Sequence, residues 1–123
     1  MTDKVVDASA IAAILFVEPS RTKVQLALAG FELFAPTLIR YELANVCLKK
    51  TRIRPAERVN LLSAYRTYDA FGIHEMDVEL AEAIALAEAE RLSIYDASYL
   101  WLARSMGADL VTLDTKLSKA AKP

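Results

Sequence analysis

The chain has 123 residues, 54% of them hydrophobic, which is enough apolar material for one packed core and too much for a disordered segment. Lysine and arginine number 15 against 16 aspartates and glutamates, a net charge of −1. This balance excludes a global basic footprint for nucleic acid, although a local one needs only a handful of cations on one face. The lone cysteine, Cys47, excludes an intramolecular disulfide and fits a reducing compartment, and the lone histidine, His74, excludes a histidine-rich zinc site.

The opening MTDKVVDAS has no basic region ahead of an apolar stretch, so a signal peptide is not expected. Residues 4–6 read as a short strand, and Ser9 as the cap of a helix over about 10–17. That helix holds the longest apolar run, IAAILFV at 11–17, too short to span a bilayer. A soluble cytoplasmic protein follows as the expectation. Ser20 is placed to cap a second helix over about 21–29, and ELFA at 32–35 reads as a strand. Pro36 and Thr37 then open a helix to about Lys50, in which Cys47 takes a buried, core-facing place as a small hydrophobe. Pro55, at a first-turn position, opens a long helix to Phe71. Residues 73–76, with His74 as an ordinary strand or loop residue, form a strand; helices follow over about 78–91 and 95–106. DLVTL at 109–113 is the last strand, and a short C-terminal helix ends the chain. Gly30, Gly72 and Gly107 each follow a helical segment and precede a short apolar one, as helix-terminating glycines do. No Ser/Gly/Pro-rich linker and no repeat divides the chain, so residues 1–123 read as one domain.

Strands alternating with helices or helix pairs predict an α/β fold, a central parallel sheet covered on both faces. In such sheets, sites collect at the carboxyl ends of the strands. Four acids sit at strand ends or in helices that must pass nearby: Asp7 in VVDASA, Glu42 in IRYELANV, Asp96 in IYDASYL and Asp114 in LVTLDTKL. Each has a purely structural explanation. Asp7 or Ser9 caps the first helix, and Asp114 the last. Glu42, on the shoulder of the face formed by Ile39, Leu43, Val46 and Lys50, pairs with Arg40, Lys49 or another cation, with Asn45 one turn on as a hydrogen-bond partner. Asp96 caps an otherwise apolar helix, where the dipole favours it and Tyr95 and Tyr99 flank it. Taken together, four carboxylates beside core elements each cost free energy unless paired or bound to a metal. Oxygen-only donors select hard cations, so Mg²⁺ or Mn²⁺ fits better than zinc. Thr112, two residues before Asp114, points the same way along the strand and can orient a carboxylate or a water.

VVDASAI, APTLIRYELANV, LSIYDASYLWLA and LVTLDTKL occur in the order and spacing of PIN-domain ribonucleases, and the chain most resembles the VapC-type toxins of prokaryotic toxin–antitoxin pairs. The resemblance covers nearly the whole chain. It implies a three-layer α/β/α sandwich and a Mg²⁺- or Mn²⁺-dependent endoribonuclease. It also implies a homodimer that assembles with a small VapB-like antitoxin, often into larger complexes. The family's acidic metal site maps onto Asp7, Glu42, Asp96 and Asp114, and its accessory polar positions onto Ser9, Asn45 and Thr112. Phosphate contact falls to the basic stretch KKTRIRPAER, with Lys49, Lys50, Arg52, Arg54 and Arg58 against one acid, Glu57; a solvated interhelical turn explains the same residues. Apolar helices near 11–17 and 38–48 are expected to line an antitoxin groove. The rival readings are a PIN-like module used only for binding or assembly, and a metal-dependent phosphatase or 5′-nuclease. All four acids are present, which argues against the first, and DASA lacks the second aspartate of a D-x-D hydrolase.

Overall fold

Val5 and Val6 are completely buried in β1 (Asp3–Val6), which lies inside a four-stranded sheet of order β3-β2-β1-β4. Its neighbours are β2 (Glu32–Pro36) and β4 (Asp109–Val111), and β3 (His74–Met76) pairs with β2; every pairing is parallel. A parallel sheet needs both faces covered, and the β-branched central strand is what that burial demands. β3 is three residues long and largely polar, and it closes one edge, where His74 stacks on Phe34 and its Nε2 lies 2.7 Å from Glu32. The computed structural model describes residues 2–122.

Each crossover is helical. Helices α1 (Ala8–Leu15) and α2 (Arg21–Leu28) join β1 to β2, and α3 (Ile39–Ile53) and α4 (Arg58–Arg66) join β2 to β3. Helices α5 (Leu80–Glu90) and α6 (Ile94–Met106) join β3 to β4, and α7 (Thr115–Ala121) ends the chain. On one side α1 packs on α2 and α3; on the other, α6 lies along β1, β2 and β4 and packs against α5 and α7. The architecture is the expected three-layer α/β/α sandwich, and Ile11, Ile39, Leu43 and Leu100 are almost wholly buried in its core. Each such side chain contributes about 1.5–3 kcal/mol over its exposed state. Among the described residues no helix is long and apolar enough to cross a membrane.

Several boundaries differ from the sequence expectation. Helix α1 starts at Ala8, and its cap is Asp7, whose carboxylate accepts from Ala10 N; Ser9 is inside the helix. Ser20 precedes α2 but makes no side-chain cap bond. Pro36 ends β2 instead of opening a helix, and Thr37 N donates to Met76 O at 3.2 Å, carrying the ladder one step further. Helix α3 therefore begins at Ile39 and runs past Lys50 to Ile53. The single helix expected over 55–71 is three pieces, a 3-10 turn at Pro55–Glu57, α4, and a second 3-10 turn at Thr67–Phe71. Thr67 Oγ1 donates to Ala64 O at 2.7 Å at that second junction, a local bond that competes with helix continuation. Gly72 and Gly107 end their helices at φ 62° and 63° as expected. Arg91 does the same for α5 at φ 55° without the glycine that would make it easy. Cys47 is buried, its Sγ 3.6 Å from Leu61 O.

Candidate active site

The sheet order reverses at β1, whose crossovers lead to β2 on one side while β4 returns on the other. At such a point the flanking loops diverge and leave a crevice at the carboxyl ends of the strands. Asp7 occupies it. The ladder that pairs Val6 with Val111 carries one bond further, Asp7 N donating to Val111 O at 3.3 Å, and β4 then turns away at Thr112.

Asp7 is 5% exposed, yet every bond that holds it is accounted for. Its Oδ1 accepts from Ser9 Oγ at 2.7 Å and Ala10 N at 3.0 Å, and its Oδ2 accepts from Thr112 Oγ1. Ser9 Oγ in turn accepts from Leu113 N at 2.9 Å, and Thr112 Oγ1 from Asp114 N at 3.0 Å. The two hydroxyls thus tie the β4–α7 turn to the first strand. A carboxylate oxygen has about two lone-pair sites, so Asp7 keeps one open, on Oδ2. Asp114 caps α7 by accepting from Leu117 N at 2.8 Å, and among the described residues its second oxygen has no donor.

The other two acids come from helices. The first turn of α3 carries Glu42, whose Oε1 accepts from Tyr99 Oη at 2.7 Å. Tyr99 reaches it from α6, where it is 1% exposed. The expected partner, Asn45, is exposed and does not bond Glu42. Helix α6 is capped by Ser93, which accepts from Asp96 N at 3.1 Å. That bond releases the Asp96 carboxylate from capping, and among the described residues it meets no protein donor.

Burial is the main reason that the Asp7 carboxyl titrates above the usual aspartate range; the hydrogen bonds from Thr112, Ser9 and Ala10 oppose it, and the charge of Asp114 adds to it. Glu42 is raised by burial, against the Tyr99 hydrogen bond, and further by Asp96 and Asp7. Asp96 is raised by burial and then by Asp114 and Asp7, with Lys116 working the other way. Tyr99 is held protonated by burial and by the adjacent Glu42 charge. Asp7 therefore feels the charge of Asp114, Glu42 that of Asp96 and Asp7, and Asp96 that of Asp114 and Asp7, the situation that a bound cation relieves. Lys116, in the first turn of α7, is the cation at this edge. Sequence reading missed it, and its spacing of two residues from Asp114 was the one signal for it.

The donor set is oxygen only and anionic, and it fits a hard divalent cation. Asp7 offers one lone-pair site, Glu42 its Oε2, and Asp96 both oxygens. As placed, no three carboxylate, histidine or cysteine side chains among the described residues converge closely enough to share one ion. The basic stretch is not part of this edge. Lys50 lies about 12 Å along α3 from Glu42, bonded to Glu18 Oε2 at 3.0 Å and lying over Phe16. Arg54 is 3.8 Å from Glu57, and Lys49, Arg52 and Arg58 are exposed.

A PIN-domain family model matches residues 4–123. The chain is 36% identical to Ribonuclease VapC3 of Pyrobaculum aerophilum over 120 residues, covering 94% of this chain and 92% of that one. The crystal structure of PAE2754 from Pyrobaculum aerophilum superposes with a TM-score of 0.78 at 26% identity, over 98% of this chain and 86% of the other. Mycobacterium tuberculosis VapC20, described as a toxin that cleaves the sarcin–ricin loop, shares the fold at a TM-score of 0.68 and 15% identity, over 98% and 96% of the two chains. With its acids at the carboxyl edge of a β3-β2-β1-β4 sheet and a curated ribonuclease matched nearly end to end, the chain belongs to the PIN-domain family, among the VapC-type proteins.

Proposed function

We propose that this protein is a Mg²⁺- or Mn²⁺-dependent endoribonuclease, the toxin of a VapB–VapC-type pair. The observation that carries the reading is that Asp7, Glu42, Asp96 and Asp114, four acids from separate elements, form no ion pair among the described residues and receive only neutral donors. Bound there, a divalent cation supplies charge neutralisation, a more acidic water and stabilisation of the leaving oxygen of a phosphodiester. Asp7 and Asp96 are the residues that would hold it, and Asp114 supports a second, weaker site. Asp7 is fixed in one orientation by Ser9, Ala10 and Thr112, so its open lone-pair site is presented without rotamer search. Tyr99 anchors one oxygen of Glu42 and leaves the other to orient the attacking water and take its proton. A raised proton affinity suits that task. Lys116 supplies a positive charge beside the acids for the substrate phosphate.

The same proposal includes a homodimer, a VapB-like antitoxin partner and a cytoplasmic setting. Tyr41, Ile53 and Val59 on α3 and α4 are 79%, 77% and 73% exposed and offer apolar surface for association. The alternative is a PIN-like binding or assembly module with weak catalysis. It draws on one observation, that no three acids converge on a single point as placed. An RNA cleavage assay on the purified protein with Mg²⁺ or Mn²⁺ decides between them. Wild-type cleavage that is lost on chelation, and in Asp7→Asn and Asp96→Asn, supports the nuclease; cleavage that survives chelation or both substitutions removes it.

A further inference from the structure

An apolar cleft of about 450 Å³ opens between the β2–α3 turn, the β3–α5 loop and the start of α6. Its walls include Pro36, Leu38, Val78, Ile94 and Tyr95, and its polar groups include Thr37 and Asp77. The strand register places it. Val5 pairs with Phe34 and Pro36 with Met76, so Asp7, Pro36 and Met76 fall in one row across the carboxyl edge. With strands about 4.8 Å apart, Asp77 begins about 10 Å from Asp7. Tyr95 precedes Asp96 directly and is 59% exposed, a large aromatic ring left in solvent next to a candidate metal ligand. Buried Tyr99, one turn further on, is explained by its bond to Glu42; among the described residues the Tyr95 hydroxyl makes no hydrogen bond and needs another reason.

We propose that this cleft holds an unpaired RNA base next to the scissile phosphate, stacked on Tyr95, with Asp77 reading the base edge. The inference rests on the ribonuclease reading above. Single-stranded RNA is recognised by splaying bases onto aromatic rings, and Tyr95 in the cleft wall directly precedes Asp96 in the chain. Its apolar walls fit a base and repel a phosphate, and its size lies within the range of small-ligand sites. Asp77 is exposed and, among the described residues, in no ion pair. An ionised carboxylate only accepts hydrogen bonds. Guanine alone presents two adjacent N–H donors on its Watson–Crick edge, from N1 and N2, so the cleft selects guanine.

The test uses short single-stranded RNAs that differ only in one base. Binding is read by fluorescence anisotropy in chelator, and kcat/KM in Mn²⁺. Tyr95→Ala is expected to weaken binding and lower kcat/KM by about 5- to 100-fold, chiefly through KM, because stacking on one aromatic is worth that much. Tyr95→Phe keeps the ring and the wild-type values. Asp77→Asn reduces the guanine preference by about tenfold, the scale of one lost base-edge contact. If the wild type cleaves RNA and Tyr95→Ala cleaves it equally well, the cleft proposal is overturned and the nuclease reading stands. If the wild type does not cleave but Tyr95→Ala still weakens binding, the cleft stands and the nuclease reading fails. Loss of dimer in Tyr95→Ala without RNA shows a subunit interface in this place and also overturns the proposal, as does RNA binding that is absent from the wild type.

Discussion

Two acidic clusters lie within one small sheet, and they are built in opposite ways. Near β3, Glu75 Oε2 is 2.6 Å from Arg40 Nε and accepts from Tyr68 Oη at 2.9 Å, Asp69 is 3.3 Å from Arg40, and the guanidinium lies over the Tyr68 ring. Glu75 and Asp69 share the Arg40 cation. At the β1–β4 edge, Asp7, Glu42, Asp96 and Asp114 form no ion pair among the described residues and receive only neutral donors. A carboxylate paired with arginine ties elements together; carboxylates gathered without one keep their charge free for something from outside. The first cluster locks the β3 edge to α3, and the second is held in tension.

The comparison breaks most visibly if the free cluster tolerates neutralisation. Asp96→Asn is expected to reduce RNA cleavage by roughly 10³-fold, a loss on the scale of removing a principal electrostatic group from an active site. Wild-type kcat in that variant would equate the two clusters. Next in size, Thr112→Val leaves Oδ2 of a buried carboxylate without its donor. Unfolding in urea should show a loss of about 1–3 kcal/mol, with cleavage down about 10- to 100-fold as Asp7 loses its orientation. A stability unchanged by the substitution would show that Thr112 is not the clamp.

The apo protein's pH dependence sharpens the contrast further. The folded-state pKa values of Asp7, Glu42 and Asp96 lie above their ordinary values of 3.8 and 4.5. The folded state therefore holds protons that the unfolded chain releases, and stability falls as pH rises from about 4 through the folded values. Adding Mn²⁺ should flatten that decline and raise Tm by several degrees, since a ligand that binds only the folded state at about 100 times its Kd adds about 2.7 kcal/mol. A Tm indifferent to divalent cations removes the metal site. The smallest effect is expected at the paired cluster, where Arg40→Ala lowers Tm slightly and leaves kcat within about twofold, exposed pairs contributing little. A large loss of activity there would mean that the β3 edge belongs to the site.

Much of this was legible because the acids interrupt apolar runs. Val5 and Val6 before Asp7, and Leu110 and Val111 before Asp114, mark strand ends, and the alternation with helices fixes the parallel sheet. The finer choices depended on contacts distant in sequence. Asp7 and Ser9 are both good caps, and only the approach of Thr112 and Leu113 from β4 decides that Asp7 caps while Ser9 bridges. Tyr99 and Glu42 meet across 57 positions, a separation that no local periodicity reveals. The basic stretch read as a phosphate site on its count of cations alone, and sequence could not show that α3 carries Lys50 to Glu18. The helix expected through 55–71 failed for a local reason, the short-range bond of Thr67 to Ala64.

The clamp on Asp7 also sets when the protein becomes armed. Its donors Ser9 and Thr112 are separated by 103 positions, and β4, which delivers Thr112, is the last of the described strands in chain order. Domains assemble as they are synthesised, so a nascent chain can fold α1, α3 and the β1–β2 pair while its first aspartate still lacks the partner that orients it. The edge closes only once Thr112 has been added and has reached Asp7. The orientation of Asp7 is thereby a property of the whole described sheet, completed by its last strand and not by the elements that carry Asp7 and Glu42.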